Sequence, residues 1–312
     1  MKKLVAIAVI TIASFSSNAF GGWFDKEFEK PLVFDITGKN FPSNKVSLEA
    51  NTVYFPESFN ESKKYPAVVL LPSCSGFKRW NKEQYHNWLS TFAKEGYVTI
   101  ALDHMTPRGK GNRRPFNCNP RSRAVDEENL VKDMYDATES LSVLGFVNPN
   151  EIFAIGYSLG GMTIGWGNSE YRYKKLAKGK QRLVTGASLY AGCVYGRDGQ
   201  HEYLYSDTDT PLLWLMGEAD HEAPISGCTS RIRYIQRNVP EFKFHIYKGA
   251  THCWDCIGLD GFSKRVPNGS KVTYHYNDDV TKDSIKRVLE HFNKYRNKPF
   301  TITVTGGDVE TK

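Results

Sequence analysis

The chain has 312 residues, 40% hydrophobic and 24% charged, a balance that supports a buried core and excludes disorder along the whole length. The formal net charge of +7 is mildly basic and spread along the chain, so it does not mark a nucleic-acid binder. No internal repeat or low-complexity linker divides the sequence, which reads as one large domain.

The first 19 residues are read apart from the fold. Lys2 and Lys3 form a positive n-region, residues 4–15 are apolar except for Thr11 and Ser14, and Ser17-Asn18-Ala19 has small residues where a peptidase cuts. This pattern predicts a secretory signal peptide over residues 1–19, cleaved after Ala19. The apolar run is too short to span a bilayer, and no longer run follows, so no membrane attachment is expected after its removal. Cleavage removes two lysines and no acid, taking the charge from +7 to +5. The expected location is periplasmic or secreted, and the short n-region and h-region fit a Gram-negative periplasm slightly better. Six cysteines remain (Cys74, Cys118, Cys193, Cys228, Cys253 and Cys256), an even number that in an exported chain points to disulfides.

Residues 20–45 interleave aromatic and charged side chains and read as an N-terminal arm or short strands. Residues 46–55 are rich in β-branched and aromatic residues and predict one or two antiparallel edge strands. Residues 67–71 are all apolar, as in a strand buried on both faces, and end in the turn Pro72-Ser73-Cys74-Ser75-Gly76. Tyr85, Trp88, Leu89, Phe92 and Ala93 recur at helical spacing within 80–95, and Gly96 stops that helix. A strand over 97–102 and a polar, basic loop over 103–123 follow. Leu130, Met134, Ala137, Leu141 and Leu144 form the stripe of another helix, with Pro149 ending the connection. Then come the strand 152–155 and the helix opening at Gly161. Further strands are expected over 183–191, 211–216 and 242–247, helices over 224–237 and 279–296, and a polar tail over 297–312. This alternation predicts an α/β domain over 46–296. Its sheet is mostly parallel, with helices on both faces and active residues at the carboxyl ends of strands.

Between strand 152–155 and the following helix lies Gly156-Tyr157-Ser158-Leu159-Gly160, a G-x-S-x-G pattern. Strand, pattern and helix together describe a nucleophile elbow, in which a sharp turn presents the serine and flanking glycines permit close backbone approach. Serine needs a base, and the base an orienting carboxylate, arriving in the chain order Ser, acid, His. After strand 211–216 comes Gly217-Glu218-Ala219-Asp220-His221-Glu222, where Asp220 is the best-placed acid and Glu218 and Glu222 compete. After strand 242–247 comes Gly249-Ala250-Thr251-His252, which makes His252 the candidate base, with His221 as runner-up. His86, His245, His275 and His291 fall inside predicted elements and read as surface or packing residues. Backbone N–H groups of Leu159 and Cys74 are the candidate oxyanion donors. Tyr157, His104 and Arg108 are candidate substrate contacts. The basic loop carrying Arg108, Arg114, Arg121 and Arg123 either holds a substrate carboxylate or is a solvated face, and the second reading is favoured.

These segments resemble the dienelactone hydrolase family of the α/β-hydrolase superfamily, its exported bacterial members in particular. The carriers are Leu-Leu-Pro-Ser-Cys-Ser-Gly (70–76), Asp-His-Met-Thr-Pro-Arg-Gly (103–109), Gly-Tyr-Ser-Leu-Gly-Gly (156–161), Gly-Glu-Ala-Asp (217–220) with Pro224, and Gly-Ala-Thr-His (249–252). Two departures stand out. Ser158 occupies the place of the cysteine nucleophile of the dienelactone hydrolases proper, and Pro72-Ser73 replaces the His-Gly often found at the start of the oxyanion loop. The family's sheet order implies the disulfides Cys74–Cys118, Cys193–Cys228 and Cys253–Cys256. A redox C-x-x-C or a zinc site fits the cysteines less well, lacking the βαβ context and the second ligand pair. The resemblance implies a serine hydrolase acting on a small-molecule or acyl substrate, an ester, lactone or thioester, with no metal or organic cofactor. A peptidase or acyltransferase on the same fold is the enzymatic alternative, and a non-catalytic binding protein the other.

Overall fold

A computed structural model describes residues 31–296, apart from residues 79, 109–126, 196–200, 203, 205–206, 209, 266–268 and 270. The signal segment and the C-terminal tail lie outside the described residues. The main sheet has eight strands in the order β1-β2-β4-β3-β5-β6-β9-β10. They are β1 (Asp35–Asn40), β2 (Thr52–Phe55), β3 (Tyr65–Leu71), β4 (Val98–Ala101), β5 (Val147–Tyr157), β6 (Thr185–Leu189), β9 (Leu212–Gly217) and β10 (Lys243–Tyr247). Two small antiparallel ladders stand apart, β7 (Val194–Tyr195) with β8 (His201–Glu202), and β11 (Ser263–Arg265) with β12 (Lys271–Thr273).

Every pairing in the main sheet is parallel except β2 with β4. The edge is built differently from the sequence reading. Residues 45–47 form a 3₁₀ turn capped by the Asn44 side chain, leaving only Thr52–Phe55 as strand. The outermost strand, β1, comes from the stretch read as an arm or short strands and runs parallel to β2. Pro149, read as ending a connection, lies inside β5. It is tolerated there because the pairing of β5 with β3 slips between Tyr65–Val147 and Ala67–Ile152, and a proline lacks the N–H a regular ladder would need.

The helices are α1 (Lys82–Lys94), α2 (Glu127–Ser142), α3 (Leu159–Gly167), α4 (Glu170–Leu176), α5 (Thr229–Asn238) and α6 (Asp278–Lys294). Strand alternation sorts them into two layers. Ala67, Val69, Leu71, Ile152 and Ala154 face a core completed by Met134 and Leu141 of α2, Ile164 of α3 and Ile232 and Ile235 of α5. Val68, Leu70, Phe153, Ile155 and Tyr157 face the opposite core, built from Tyr85, Trp88, Leu89 and Phe92 of α1 and Val288 and Phe292 of α6. Among the described residues no helix is long and apolar enough to cross a membrane.

Parallel register brings the working ends of five strands level. Leu71 pairs with Gly156, Gly156 with Ser188, Leu189 with Leu215, and Gly217 with Tyr247. The turns that follow β3, β5, β6, β9 and β10 therefore meet at one rim of the sheet.

Candidate active site

Ser158 sits on the turn between β5 and α3 with φ 51° and ψ −110°, a backbone conformation that a non-glycine residue holds only under constraint. Its N–H donates to the Leu189 carbonyl (3.0 Å), and its own carbonyl accepts from the Met162 N–H (3.0 Å). The glycines beside it are sterically required. A Cβ on Gly160 would run into the Leu71 carbonyl, and one on Gly156 into the Gly160 backbone. The tight crossing of α3 over β3 that lifts Ser158 above the sheet is possible only without those carbons.

The turns that carry Asp220 and His252 are locked to each other. The Ala219 N–H donates to the Ala250 carbonyl (3.0 Å), and the Glu218 N–H to that of Tyr247 (2.9 Å). Gly217 allows this contact, since a Cβ there would meet the Ala250 oxygen. Oδ1 of Asp220 accepts from the N–H groups of Glu222 (2.9 Å) and Ala223 (2.8 Å), which fixes the carboxylate plane and leaves Oδ2 for the base. His252 Nδ1 lies 2.7 Å from Asp220 Oδ2, and His252 Nε2 lies 3.1 Å from Ser158 Oγ. An Nδ1–H donated to a carboxylate leaves Nε2 with its lone pair toward the hydroxyl, the tautomer a general base requires. Ser158, Asp220 and His252 are all buried. Burial pulls the imidazole toward neutrality, but Asp220 and then Glu222 outweigh it and hold His252 above its ordinary value of 6.5.

Of the competing acids, Glu218 is turned to the Gly249 N–H (3.0 Å), while Glu222 is part-buried near His252. His221, the runner-up base, is exposed. The histidines read as packing or surface residues include His291, whose Nε2 meets Thr185 Oγ1 at 2.7 Å and whose pKa burial pushes down to about 3.

The two residues expected to supply oxyanion donors share one small apolar cluster. Leu159 is the first residue of α3, where backbone N–H groups have no partner within the helix. Cys74 packs on a small apolar cluster with Leu159, Leu130, Met105 and Met162. The loop carrying Cys74 is held by α1 and the residue before it. The Tyr85 hydroxyl accepts from the Ser73 N–H (3.0 Å), and Asn81 Nδ2 donates to the Gly76 carbonyl (2.7 Å) and Ser75 Oγ (3.1 Å).

Three expected substrate contacts have other employment. Tyr157 is fully buried, because strand alternation turns it into the α1/α6 core, against the rings of Tyr85, Trp88 and Tyr190. The Arg108 side chain is buried and forks onto Asp133 of α2, with Nη1–Oδ2 2.8 Å and Nη2–Oδ1 2.7 Å. His104 Nδ1 shares the same carboxylate at 2.8 Å. These groups brace the segment after β4 and do not line an open surface. Arg114, Arg121 and Arg123 lie outside the described residues.

Disulfides join Cys193 to Cys228 and Cys253 to Cys256. Cys118, the expected partner of Cys74, lies outside the described residues. The second bridge spans a buried carboxylate that sequence reasoning passed over. Asp255 accepts from Trp88 Nε1 (2.7 Å), Gln84 Nε2 (3.0 Å) and the Tyr190 hydroxyl (2.9 Å), and burial raises its carboxyl above the ordinary range despite these donors. The Tyr190 ring stands edge-on to the His252 imidazole at 4.9 Å between centroids. The α1 helix thus anchors both the oxyanion loop and the histidine loop. The only trace of Asp255 in the sequence is an acid wedged between Trp254 and Cys256 just after the histidine. Asp133 left a clearer one, a charge on the apolar stripe of α2.

A mostly parallel eight-stranded sheet, helices on both faces and a serine on the turn after the central strand define an α/β hydrolase. The dienelactone hydrolase family model matches residues 52–296, and the chain belongs to that family. In solved structures the fold is similar to a thermophilic esterase of Thermogutta terrifontis, with TM-score 0.56 and 14% identity over 78% of this chain and 88% of that one. It is also similar to a dienelactone hydrolase-like promiscuous phosphotriesterase from metagenomic libraries, with TM-score 0.51 and 15% identity over 75% and 87%. Among curated proteins, dipeptidyl-peptidase 5 of Porphyromonas gingivalis is 24% identical over 64% of this chain and 32% of its own length. The chain spans between 21% and 37% of the length of the first curated relatives it matches.

Proposed function

We propose that the protein is an exported serine hydrolase that cleaves a carboxylic ester, lactone or thioester through an acyl-enzyme. The observation that carries this reading is the hydrogen-bonded line Ser158–His252–Asp220, 3.1 Å and 2.7 Å, in a buried site with the base's lone pair toward the hydroxyl. In this reading Ser158 Oγ attacks the acyl carbon while its proton passes to His252 Nε2. The carbonyl electron pair moves to oxygen, where the N–H groups of Leu159 and Cys74 receive it. The bond to the leaving group then breaks and His252 returns the proton to that group. Water repeats both steps and frees the acid. Asp220 orients the ring and stabilises the imidazolium. Export with cleavage after Ala19 accords with the disulfides, which persist in oxidising compartments.

The test is a panel of short p-nitrophenyl esters, thioesters and dipeptide amides, with labelling of Ser158 by a fluorophosphonate probe. Esters and thioesters are expected to turn over and Ser158 to be labelled. No turnover of any acyl substrate together with an unlabelled Ser158 overturns the reading. The dipeptidyl-peptidase likeness favours a second reading, peptide cleavage, which turnover of the amides in preference to the esters would establish.

The pH profile follows from the base. His252 must be neutral to accept the proton, and its pKa is raised, so it stays protonated to higher pH than an ordinary histidine. The acid limb of kcat/KM is expected to have its midpoint above 6.5, with activity lost as pH falls through it. A midpoint below that value contradicts the assigned environment of the base.

A further inference from the structure

Glu222 lies two residues beyond Asp220 on the same turn, and its backbone N–H donates to Asp220 Oδ1 (2.9 Å). Its carboxylate is held from the other side. Oε1 accepts from Lys264 Nζ (2.7 Å) on β11, and Oε2 accepts from the Tyr274 hydroxyl (2.6 Å), just beyond β12. Lys264 and Glu222 are both largely buried side chains. The Tyr274 ring packs on the His252 imidazole, with centroids 5.7 Å apart, and Lys264 Nζ stands 5.5 Å from the centre of the Tyr274 ring. The β11–β12 hairpin thus places a cation and a phenol on the Glu222 carboxylate, and the phenol ring against His252.

We infer that Glu222, held by Lys264 and Tyr274, is a positioning residue for His252, a second carboxylate that shares with Asp220 the stabilisation of the imidazolium formed when Ser158 gives up its proton. This inference rests on the proposed role of His252 as base. The charge it supplies is fixed in place. Burial would neutralise the Glu222 carboxyl, but His252 and Lys264 outweigh it and keep it below its ordinary value of 4.5, so it is ionised throughout the working range. The groups facing the imidazole come from four places in the fold. Asp220 and Glu222 come from the turn after β9, Lys264 and Tyr274 from the hairpin, Tyr190 from the end of β6 with Asp255 behind it, and Ser158 from the elbow. Among the described residues, two anions and one cation act on the ring, and the cation is the one paired with Glu222. Removing the anion and removing the cation therefore drive the ring in opposite directions.

That opposition supplies the test. The imidazole of His252 is titrated by NMR in histidine-labelled full-length mature protein, with its signal assigned by loss in His252→Asn. Glu222→Gln is expected to lower the titration midpoint by about one unit, and Lys264→Met to raise it by a similar step. Where turnover is measurable, the acid limb of kcat/KM is expected to move in the same two directions with KM little changed. Coincident midpoints in wild type and both variants overturn the inference, even if the variants lose thermal stability, because a merely structural network moves Tm and not the titration. A shift in one direction for both variants overturns it as well. If Glu222→Gln does not fold, Lys264→Met alone decides, since the inference requires an upward shift. The NMR readout needs no substrate, so a protein that hydrolyses no ester but shows the two opposed shifts fails the proposed function and keeps the electrostatic arrangement.

Discussion

Ser158→Ala is expected to lower kcat by on the order of 10⁴–10⁶-fold toward any ester the wild type cleaves, with KM changed little. The hydroxyl is the only part of the hydrogen-bonded line that forms a bond to the substrate, and its removal leaves the oxyanion donors and the binding surface in place. His252→Ala is expected to cost a similar factor. The double variant is expected to be no worse than either alone, because a serine without its base and a base without its serine are equally idle. Asp220→Asn is expected to cost about 10⁴-fold, since an amide in place of the carboxylate favours the wrong tautomer of the ring 2.7 Å away. Steady-state kinetics on a short-chain p-nitrophenyl ester read all four. Full activity in Ser158→Ala would remove the elbow from the mechanism. A double variant slower than the singles by the product of their factors would mean that the two residues act separately.

The largest effect on stability is expected at a site that takes no part in the chemistry. Arg108→Met should destabilise the fold by roughly 3–5 kcal/mol, because it leaves the Asp133 carboxylate buried beside His104 without its bidentate partner. For a domain of this size that corresponds to a fall in Tm of roughly 6–20 °C. The pH dependence has a definite sign. Burial would raise the Asp133 carboxyl, but Arg108 and then His104 outweigh it and hold the carboxyl below its ordinary 3.8. The pair's contribution is therefore fully present above that value and is lost as pH falls through the lower folded value. The deficit of Arg108→Met should accordingly be undiminished at pH 7 and shrink in strong acid. Adding Asp133→Leu to Arg108→Met should recover much of the loss, since an apolar pair needs no desolvation repaid. Denaturant unfolding of the wild type and the two variants checks this, and equal stability of wild type and Arg108→Met would show that the fork contributes nothing. Asp133 also tethers the segment carrying Met105, which packs on Leu159, so activity should weaken in step.

The order and kind of the main elements were legible because their signals are local. All-apolar runs such as residues 67–71 and helical stripes such as Tyr85, Trp88, Leu89 and Phe92 report burial without reference to any partner. The sheet edge was less legible. β1 is half exposed and polar, Asp-Ile-Thr-Gly-Lys-Asn, so no hydrophobic pattern announces it. The short helix α4, with a single buried residue, and the hairpin β11–β12 were missed for the same reason.

By itself, the sequence determined the nucleophile elbow, the chain order of serine, acid and histidine, and the strand ends where each must lie. Glycines at 156, 160 and 217 and small turn residues leave a mark in composition, since nothing larger fits. Tertiary structure alone decided what surrounds those residues. It turned Tyr157 into the core and gave Arg108 and His104 to Asp133. It brought Asp255 under the base from 171 residues beyond Gln84, and set Glu222 against Lys264 across 42 residues. A buried carboxylate and its donors are matched by distance and direction in space, not by spacing along the chain, so the charges around His252 became visible only when the loops were folded onto one rim of the sheet.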